Sequence, residues 1–202
     1  MNVITHRKPR GQGASRRAEI LEAAQRLFLE LGYEQATMRR IAAQIGVSAA
    51  ALYVYFPDKA AILRAIAETT FDALLARLRD ATTAEANPLD CFRAGLRAYI
   101  AFGLERPDAY RLIFVAPAET KPCADDIPAA GYSFAILEES IAALMANGAF
   151  APGFPFAAAE TVWALLHGVT VLLLDQAPHL QTPPGTLIDH AIQLAERGLR
   201  AN

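Results

Sequence analysis

Apolar residues recur at intervals of three and four along almost the whole chain, and no segment shows the alternation of apolar and polar residues that marks a half-buried strand. Glycines and prolines divide this helical pattern into segments of ordinary helix length. We therefore predict an all-α fold of about nine helices, because a chain without strands buries its apolar stripes by packing helix on helix. A chain of 202 residues that is 53% hydrophobic can support one substantial core, or a small module joined to a larger one.

Capping residues and helix breakers divide the N-terminal third into four helices. A serine, threonine or aspartate accepts a hydrogen bond from the first turn of a helix, and a glycine or proline ends one. The predicted N-caps are Ser15, Thr37, Ser48 and Asp58. The residues predicted to end the first three helices are Gly32, Gly46 and Pro57. The fourth helix is long and carries apolar residues on one side as far as Leu78.

The rest of the chain has equally clear helix boundaries. Asn87 followed by Pro88 is a cap and first turn for a fifth helix, which Arg106 and Pro107 end. A short helix is expected around residues 110–114, before a proline-rich surface loop at residues 116–128. The remaining helices are predicted over residues 129–147, 156–174 and 186–200.

Charge is distributed unevenly along the chain. Residues 1–60 contain nine Lys and Arg against five Asp and Glu, a net charge of +4, whereas residues 61–202 contain ten against sixteen, a net charge of −6. A basic head on an acidic body suits a protein that meets a polyanion at one end. Residues 1–14 are basic, polar and glycine-containing, so we predict a flexible arm that either contacts the polyanion or is an inert tail.

Several classes of site have no support in the sequence. Cys91 and Cys123 lack the spacing of a disulfide framework or a zinc site. The four histidines form no cluster, and we find no paired carboxylates, Ser/His/Asp arrangement or phosphate loop. The most apolar stretch, residues 163–174, is too short to span a bilayer, and no apolar segment follows the basic N-terminus. We expect a cytoplasmic protein with no enzyme activity, cofactor, metal site or membrane partner.

The most informative segment is residues 37–59, TMRRIAAQIGVSAAALYVYFPDK. Two short helices joined through a four-residue turn have the dimensions of a helix-turn-helix, in which the first helix braces the second in the major groove of DNA. Gly46 permits the tight turn. The predicted small core that fixes the angle between the helices consists of Ile41, Ala42, Val47 and Leu52.

Around this segment the sequence resembles the TetR family closely. The matching residues lie between about 15 and 63 and are Ala23-Ala24, Leu27-Phe28, Gly32-Tyr33, Thr37, Ile41-Ala42, Gly46-Val47-Ser48, Leu52-Tyr53, Tyr55-Phe56 and Lys59. The resemblance implies a DNA-binding head at residues 15–61 and a helical ligand-binding and dimerisation body at residues 62–202.

The resemblance also implies which residues of the head contact DNA. The residues implied to contact phosphates are Thr37, Tyr53, Tyr55 and Lys59. Those implied to flank the groove are Arg39 and Arg40, and those implied to face base edges are Ser48, Ala49 and Ala50. Two alternatives stay open, because the two tyrosines can be core aromatics and the two arginines can be an ordinary solvated face. A basic arm at residues 1–14 can also reach the minor groove.

Two positions depart from the family pattern. Ala49 and Val54 stand where family members often carry a polar residue. Hydrogen-bond readout by the third helix is therefore expected to be thin, which leaves methyl contacts to thymine, a contact from Ser48 and a contact from Arg39 to guanine.

A second group of residues, Trp163, His167 and Gly168, resembles a Trp-x-x-x-His-Gly signature of one subset of TetR-type C-terminal domains. Trp163 and His167 are four residues apart and share a helix face, and Gly168 permits a neighbouring helix to approach closely. The helix over residues 157–174 is apolar on nearly every side, which in a soluble protein indicates burial against its own body and against another chain. We therefore predict a homodimer, with this helix and the last one forming a four-helix interface as in the family.

Aromatic residues of the body suggest a pocket for a small, mainly apolar molecule. The predicted lining residues are Phe92, Tyr99, Phe102, Tyr110, Phe114, Phe134, Met145, Trp163 and His167. The alternative is that these aromatics are ordinary core residues and that His167 is a structural histidine.

These features favour a dimeric repressor that binds an inverted-repeat operator in double-stranded DNA and is released by a small-molecule effector. An activator is equally consistent with the sequence. Two other hypotheses are a helical enzyme that contains a helix-turn-helix-like core, and a helical protein-binding module. The absence of catalytic constellations argues against the first, and the basic head argues against the second.

Overall fold

The computed structural model describes residues 13–115 and 127–200, with side chains from residue 15 onward. These residues form two compact units, residues 13–66 and residues 67–115 with 127–200, and the division falls inside one long helix. The helices are α1 (Gly13–Leu31), α2 (Met38–Gln44), α3 (Ala49–Tyr53), α4 (Lys59–Thr83), α5 (Pro88–Glu105), α6 (Pro107–Tyr110), α7 (Pro128–Ala146), α8 (Pro155–Leu174) and α9 (Pro184–Leu199). The described residues contain no strand, which confirms the all-α prediction of about nine helices.

Four predicted caps make the expected hydrogen bonds. Thr37 Oγ1 accepts from the Arg40 N–H at 3.3 Å, and Ser48 Oγ accepts from the Ala51 N–H at 3.1 Å. The carboxylate of Asp58 and the side-chain oxygen of Asn87 accept from backbone N–H groups at 2.7 and 2.8 Å. These bonds satisfy donors that the first helical turn leaves without a partner.

The predicted cap at Ser15 is wrong, because α1 already begins at Gly13. Ser15 lies inside the first turn, where its hydroxyl is 3.4 Å from a carboxylate oxygen of Glu19. Arg16 also pairs with Glu19, at 2.7 Å. Pairs three and four residues apart stabilise a helix surface, and here they hold the first turn without the predicted serine cap.

Other helix ends differ by a few residues from the predictions. Helix α3 ends at Tyr53 rather than at Pro57, because the Tyr55 and Phe56 N–H groups both turn back to the Leu52 carbonyl. Helix α6 begins at Pro107 and continues as a π-helical turn, Arg111–Val115. Helices α6, α8 and α9 each begin on a proline, which suits the first turn because its missing N–H needs no partner there. The prolines expected to separate helices therefore start them.

The first unit has a small core shared by its helices. Its fully buried residues include Ile20 from α1, Ile41 from α2, Leu52 from α3 and Ile62 from α4. Val47, predicted as part of this core, is only half-buried because it lies in the turn between α2 and α3. The core fixes α3 on α2 and thereby fixes which residues of α3 face solvent.

Helix α5 is the centre of the second unit and packs against α7, α8 and α9. At Gly103 the contact with α8 is so close that an added Cβ would lie 2.4 Å from Thr170 Cγ2 and 3.0 Å from the Tyr110 ring. A glycine is therefore required at this crossing. Near the C-terminus, an isolated antiparallel bridge joins Phe150 to Arg200.

Two helices of the second unit, α7 and α8, have the length and mean hydropathy of a membrane span. The apolar helix α8 extends from Pro155 to Leu174, whereas the apolar stretch predicted from the sequence covers only residues 163–174. Both helices pack against α5 and against each other. They are core helices of this unit.

Candidate functional site

The turn between α2 and α3 has the geometry of a helix-turn-helix. Gly46 has a φ of +67°, in the left-handed region that favours glycine. The Val47 N–H donates to the Ala42 carbonyl at 2.9 Å, so the turn folds back onto α2. Ser48 then caps α3, and Leu52 anchors the helix in the core.

Most residues predicted to contact DNA lie on the solvent side of this motif. The exposed ones are Thr37, Arg39, Arg40, Ser48, Ala50, Tyr53 and Tyr55, while Ala49 and Lys59 are half-buried. Tyr53 is 53% exposed and Tyr55 39% exposed, whereas Phe56 lies in the core. The two tyrosines are therefore surface residues rather than core aromatics.

The two predicted arginines have different surroundings. Arg40 donates through Nη1 to the Gln35 carbonyl at 3.0 Å, which holds its guanidinium beside the start of α2. Arg39 is exposed and makes no ion pair with any residue between 13 and 115 or between 127 and 200. A third arginine, Arg17, lies with its guanidinium carbon 4.9 Å from the centroid of the Phe56 ring. No motif in the sequence singles out Arg17.

Lys59 is held by Tyr33, a partner that the sequence pattern does not predict. Its Nζ donates to the Tyr33 carbonyl at 2.9 Å, lies 4.0 Å from the Tyr33 ring centroid and is 3.5 Å from a Glu34 carboxylate oxygen. Burial raises the pKa of the Tyr33 hydroxyl, and the negative charges of Glu34 and Asp58 raise it further. Lys59 and Tyr33 both belong to the family pattern, but they are 26 positions apart, so no local spacing in the sequence predicts their contact. A phosphate contact of Lys59 stays a prediction.

The second unit contains a hydrogen-bonded chain of four aromatic side chains. Trp163 Nε1–H donates to the Tyr99 hydroxyl at 2.9 Å. The Tyr99 and Tyr110 hydroxyls are 2.9 Å apart, and the Tyr110 hydroxyl is 2.7 Å from His167 Nδ1. Because the indole N–H can only donate, a neutral His167 with Nδ1 as acceptor lets every hydroxyl proton of the chain point towards the imidazole.

This aromatic cluster, defined by Tyr99, Tyr110, Phe114, Trp163 and His167, is tightly packed. The Tyr110 ring stacks on the His167 ring with centroids 5.6 Å apart, and Phe114 lies 4.7 Å from Tyr110. Burial raises the pKa of the Tyr99 hydroxyl well above its usual range and also raises that of Tyr110. Both phenols are therefore neutral hydrogen-bonding groups.

The other four predicted lining residues have different neighbours. Phe92 packs edge-on against Phe150, with ring centroids 5.3 Å apart, and Phe134 packs against Phe156 at 5.4 Å. The Phe102 ring lies under the Arg106 guanidinium. The Met145 methyl group lies beside Gly153. The structure thus brings five of the nine predicted residues together, and sequence spacing alone could not separate these five from the rest.

One face of α8 is left uncovered by the residues that the structure describes. Ala157, Thr161, Ala164 and Leu172 are exposed, and an added Cβ at Gly168 would meet nothing within 4 Å. These positions recur at intervals of three and four, so they form a seam of mostly small residues along the helix.

The described residues contain no group of three potential metal ligands. Cys91 is a free thiol whose Sγ is 3.2 Å from the Glu85 carbonyl oxygen. Cys123, residues 1–12 of the predicted arm and residues 116–126 of the predicted loop lie outside the described residues. The arm prediction is wrong at residues 13–14, which belong to α1, and the loop prediction is wrong at Pro128, where α7 begins.

Two family models match the chain. Residues 20–66 match the N-terminal model described as bacterial regulatory proteins, tetR family. Residues 92–195 match the model described as tetracyclin repressor-like, C-terminal domain. The first match contains the helix-turn-helix, and the second contains every residue of the aromatic cluster.

Curated relatives resemble part of the chain. It is 32% identical over 117 residues to the transcriptional activator FasR of Mycolicibacterium smegmatis, covering 58% of this chain and 52% of FasR. It is 39% identical over 80 residues to the transcriptional repressor KstR2 of Mycobacterium tuberculosis, covering 40% of each. The chain spans about half the length, or less, of these relatives.

The solved structures extend the similarity to the whole fold. A Rhodococcus sp. RHA1 protein of unknown function is 26% identical, with a TM-score of 0.77 over 96% of this chain and 100% of the other. A tetR-family regulatory protein from Rhodococcus RHA1 is 22% identical, with a TM-score of 0.74 over 92% and 97% of the two chains.

Proposed function

Because the chain belongs to the TetR family of bacterial regulatory proteins, which are DNA-binding transcription regulators and not enzymes, we propose that it is a homodimeric repressor. In this proposal the two heads bind an inverted-repeat operator, and a small, mainly apolar effector bound by the body releases them. The observation that carries the DNA-binding part is the capped helix-turn-helix with its exposed arginine and tyrosine side chains. Its site of action is the cytoplasm.

The head presents side chains that suit the two kinds of contact that sequence-specific binding requires. Tyr53 and Tyr55 present phenol groups that can donate to phosphate oxygens, and such contacts fix the orientation of a protein on the duplex. Arg39, with no ion-pair partner among the described residues, can reach a base edge. The basic balance of residues 1–60 adds sequence-independent attraction.

Selection of bound fragments from genomic DNA by the purified protein tests this part of the proposal. We expect recovery of inverted repeats whose half-sites are about one helical turn apart or slightly more, because a two-fold dimer presents two identical recognition helices. Recovery of unrelated sequences with the same affinity would contradict specific binding. Whether the bound promoter is switched off or on separates repressor from activator, both of which occur among the relatives.

The α8 seam supports a dimer. Small side chains at Ala157, Thr161, Ala164 and Gly168 permit close approach of a second helix, and Leu172 offers an exposed apolar group at the end of the seam. An apolar face of this kind is favourable only when it is covered. A second copy of α8 related by a two-fold axis covers it with the same residues.

The aromatic cluster supports effector binding in the body. It combines apolar ring surface with hydrogen-bonding groups that can exchange partners, a combination found in many small-molecule sites. Trp163 is partly exposed, so it is the member that an entering molecule meets first.

Titration of apolar and aromatic compounds against tryptophan fluorescence tests this part, since Trp163 is the chain's only tryptophan. A compound that changes the fluorescence and also lowers operator affinity supports the effector role. Binding that leaves operator affinity unchanged would contradict it, because an effector acts only through a difference in affinity between two states.

A further inference from the structure

The solvent side of α3 carries methyl groups where hydrogen-bonding side chains would be expected. Val54 directly follows α3 and keeps helical backbone angles, so it continues the face of Ala50 four positions earlier, and it is 82% exposed. Single exposed apolar residues are common, but this one adjoins exposed alanines and lies between two exposed tyrosines. The exposed methyl face, defined here as Ala50, Ala51 and Val54, is therefore a patch and not an isolated residue.

Three polar residues of the helix-turn-helix make hydrogen bonds within the head. Ser48 Oγ accepts from the Ala51 N–H, which caps α3, and Thr37 Oγ1 caps α2 in the same way. Arg40 donates to the Gln35 carbonyl. The side chains of Ala50, Ala51 and Val54 carry no hydrogen-bonding group, so any recognition by these three side chains comes from apolar contact.

Only one base in the major groove offers an apolar group of matching size. Thymine carries a 5-methyl group there, whereas the other bases present hydrogen-bond donors and acceptors. The positive balance of residues 1–60 and the exposed Arg39 favour a polyanion as the occupant of this surface over an apolar protein.

We propose that Val54, together with Ala50, is a specificity-determining contact that recognises thymine through its 5-methyl group. The proposal rests on the proposed DNA-binding function and adds the chemistry by which α3 selects bases. It requires at least one thymine in each half-site whose methyl group contacts the exposed methyl face.

Replacing each operator thymine singly with deoxyuridine tests the proposal, because this change removes the methyl group and keeps the base pair. We expect one or two positions in each half-site at which affinity falls about fourfold, the factor that corresponds to burial of one methylene group. At these positions the Val54→Ala variant should bind the thymine and deoxyuridine operators equally. Val54 is exposed, so the substitution leaves the fold intact.

Val115→Ala is the matched control, since it makes the same chemical change at an exposed position of the second unit. It should retain the full preference for thymine. The proposal is overturned if deoxyuridine has no effect at any position, or if Val54→Ala weakens binding to all sequences alike, which would make Val54 a backbone contact. A chain that selects no specific operator at all overturns the proposed function itself, and the thymine contact with it.

Discussion

Arg39 on α2 and Tyr53 on α3 are both exposed on the helix-turn-helix, yet they suit different parts of a DNA site. A guanidinium can bond a guanine edge through two N–H groups, whereas a phenol hydroxyl offers one bond and suits a phosphate. Their substitution therefore separates base recognition from backbone contact.

Arg39→Ala should cost on the order of 1 to 3 kcal/mol of operator binding and relax the preference at one base pair in each half-site. Tyr53→Phe should weaken binding to every sequence by the same factor, since it removes a phosphate contact. Competition binding on a randomised palindrome measures both effects. Arg79→Ala, an exposed arginine on α4, serves as the control and should change neither. If Arg39→Ala weakened binding to all sequences equally, Arg39 would contact a phosphate and not a base.

His167 has a defined structural partner in addition to its proposed role in the effector site. Its Nδ1 is 2.7 Å from the Tyr110 hydroxyl, which is buried and bonded to Tyr99. His167→Ala should lower the free energy of unfolding by about 1 to 3 kcal/mol, because it removes a partner from a buried hydroxyl. Urea unfolding measures the loss, and His179→Ala, an exposed histidine, should show none.

A second measurement on His167→Ala separates the two roles of the residue. If the residue also serves the effector, the variant should change the concentration of effector needed for release, while operator affinity without effector stays the same. A loss of stability with an unchanged effector response would make the histidine structural only.

At the scale of helices, two glycines inside helices have opposite environments. Gly103 lies at the crossing of α5 and α8, where a Cβ would overlap Thr170, while the missing Cβ of Gly168 faces open space. Gly103→Ala should destabilise the protomer by about 1 to 3 kcal/mol through overpacking. Gly168→Ala should leave the protomer as stable or slightly more stable, since alanine favours a helix by up to about 1 kcal/mol over glycine.

The two glycine variants differ again in association. If the α8 seam is the dimer interface, Gly168→Ala should raise the dimer dissociation constant although the protomer is intact. Thermal unfolding and sedimentation at several protein concentrations measure the two effects. A Gly168→Ala protein with unchanged dimer affinity would remove this residue from the interface.

Helices α5 and α9 are joined by a buried carboxylate. Glu196 accepts from Arg93 Nε and an Arg93 terminal nitrogen at 2.7 and 2.9 Å, and it also pairs with Arg200. The hydrogen bonds from Arg93 hold the pKa of Glu196 below its ordinary value of 4.5, and those from Arg200 lower it further. Because the pKa of Glu196 is lower in the folded chain than in the unfolded chain, its ionised carboxylate stabilises the fold fully above about pH 4.5. This stabilisation is lost as the pH falls through the pKa of the folded chain.

The Glu196→Gln variant should therefore be less stable than the parent chain near neutral pH, and the difference should shrink in acid. Thermal unfolding between neutral pH and acid measures it. Glu139→Gln, at an exposed position on α7, should follow the parent at every pH. A constant difference for Glu196→Gln across this range would mean that the ion pair contributes nothing to the acid sensitivity.

At the scale of the whole molecule, adjacent residues on α8 distinguish association from folding. Leu172 is 43% exposed in the protomer, whereas Val171 packs against the core of the second unit. Leu172→Glu should give a folded monomer, and Val171→Glu should unfold the second unit because it buries a carboxylate without a partner. Light scattering and circular dichroism measure mass and helix content. A dimeric Leu172→Glu protein would contradict the proposed interface.

The sequence by itself determined the helical class, the turn at Gly46 and the caps at Thr37, Ser48, Asp58 and Asn87, because these depend on local hydrogen bonds and on spacing within one helix. It also determined the family, since the head motif is a contiguous pattern. Helix starts at Pro107, Pro155 and Pro184 were predicted less well, because a proline either ends a helix or begins one and tertiary packing decides which.

Only the tertiary structure decided which distant residues meet. Lys59 bonds to Tyr33 across 26 positions, and Arg93 bonds to Glu196 across 103 positions. In the aromatic cluster, Trp163 bonds to Tyr99 across 64 positions, and Tyr99 and Tyr110 lie on different helices. The same packing gathered five of nine aromatic candidates and left Val54 in solvent. Helix periodicity fixes the face on which a residue lies, but the identity of the opposing face follows from how the helices pack.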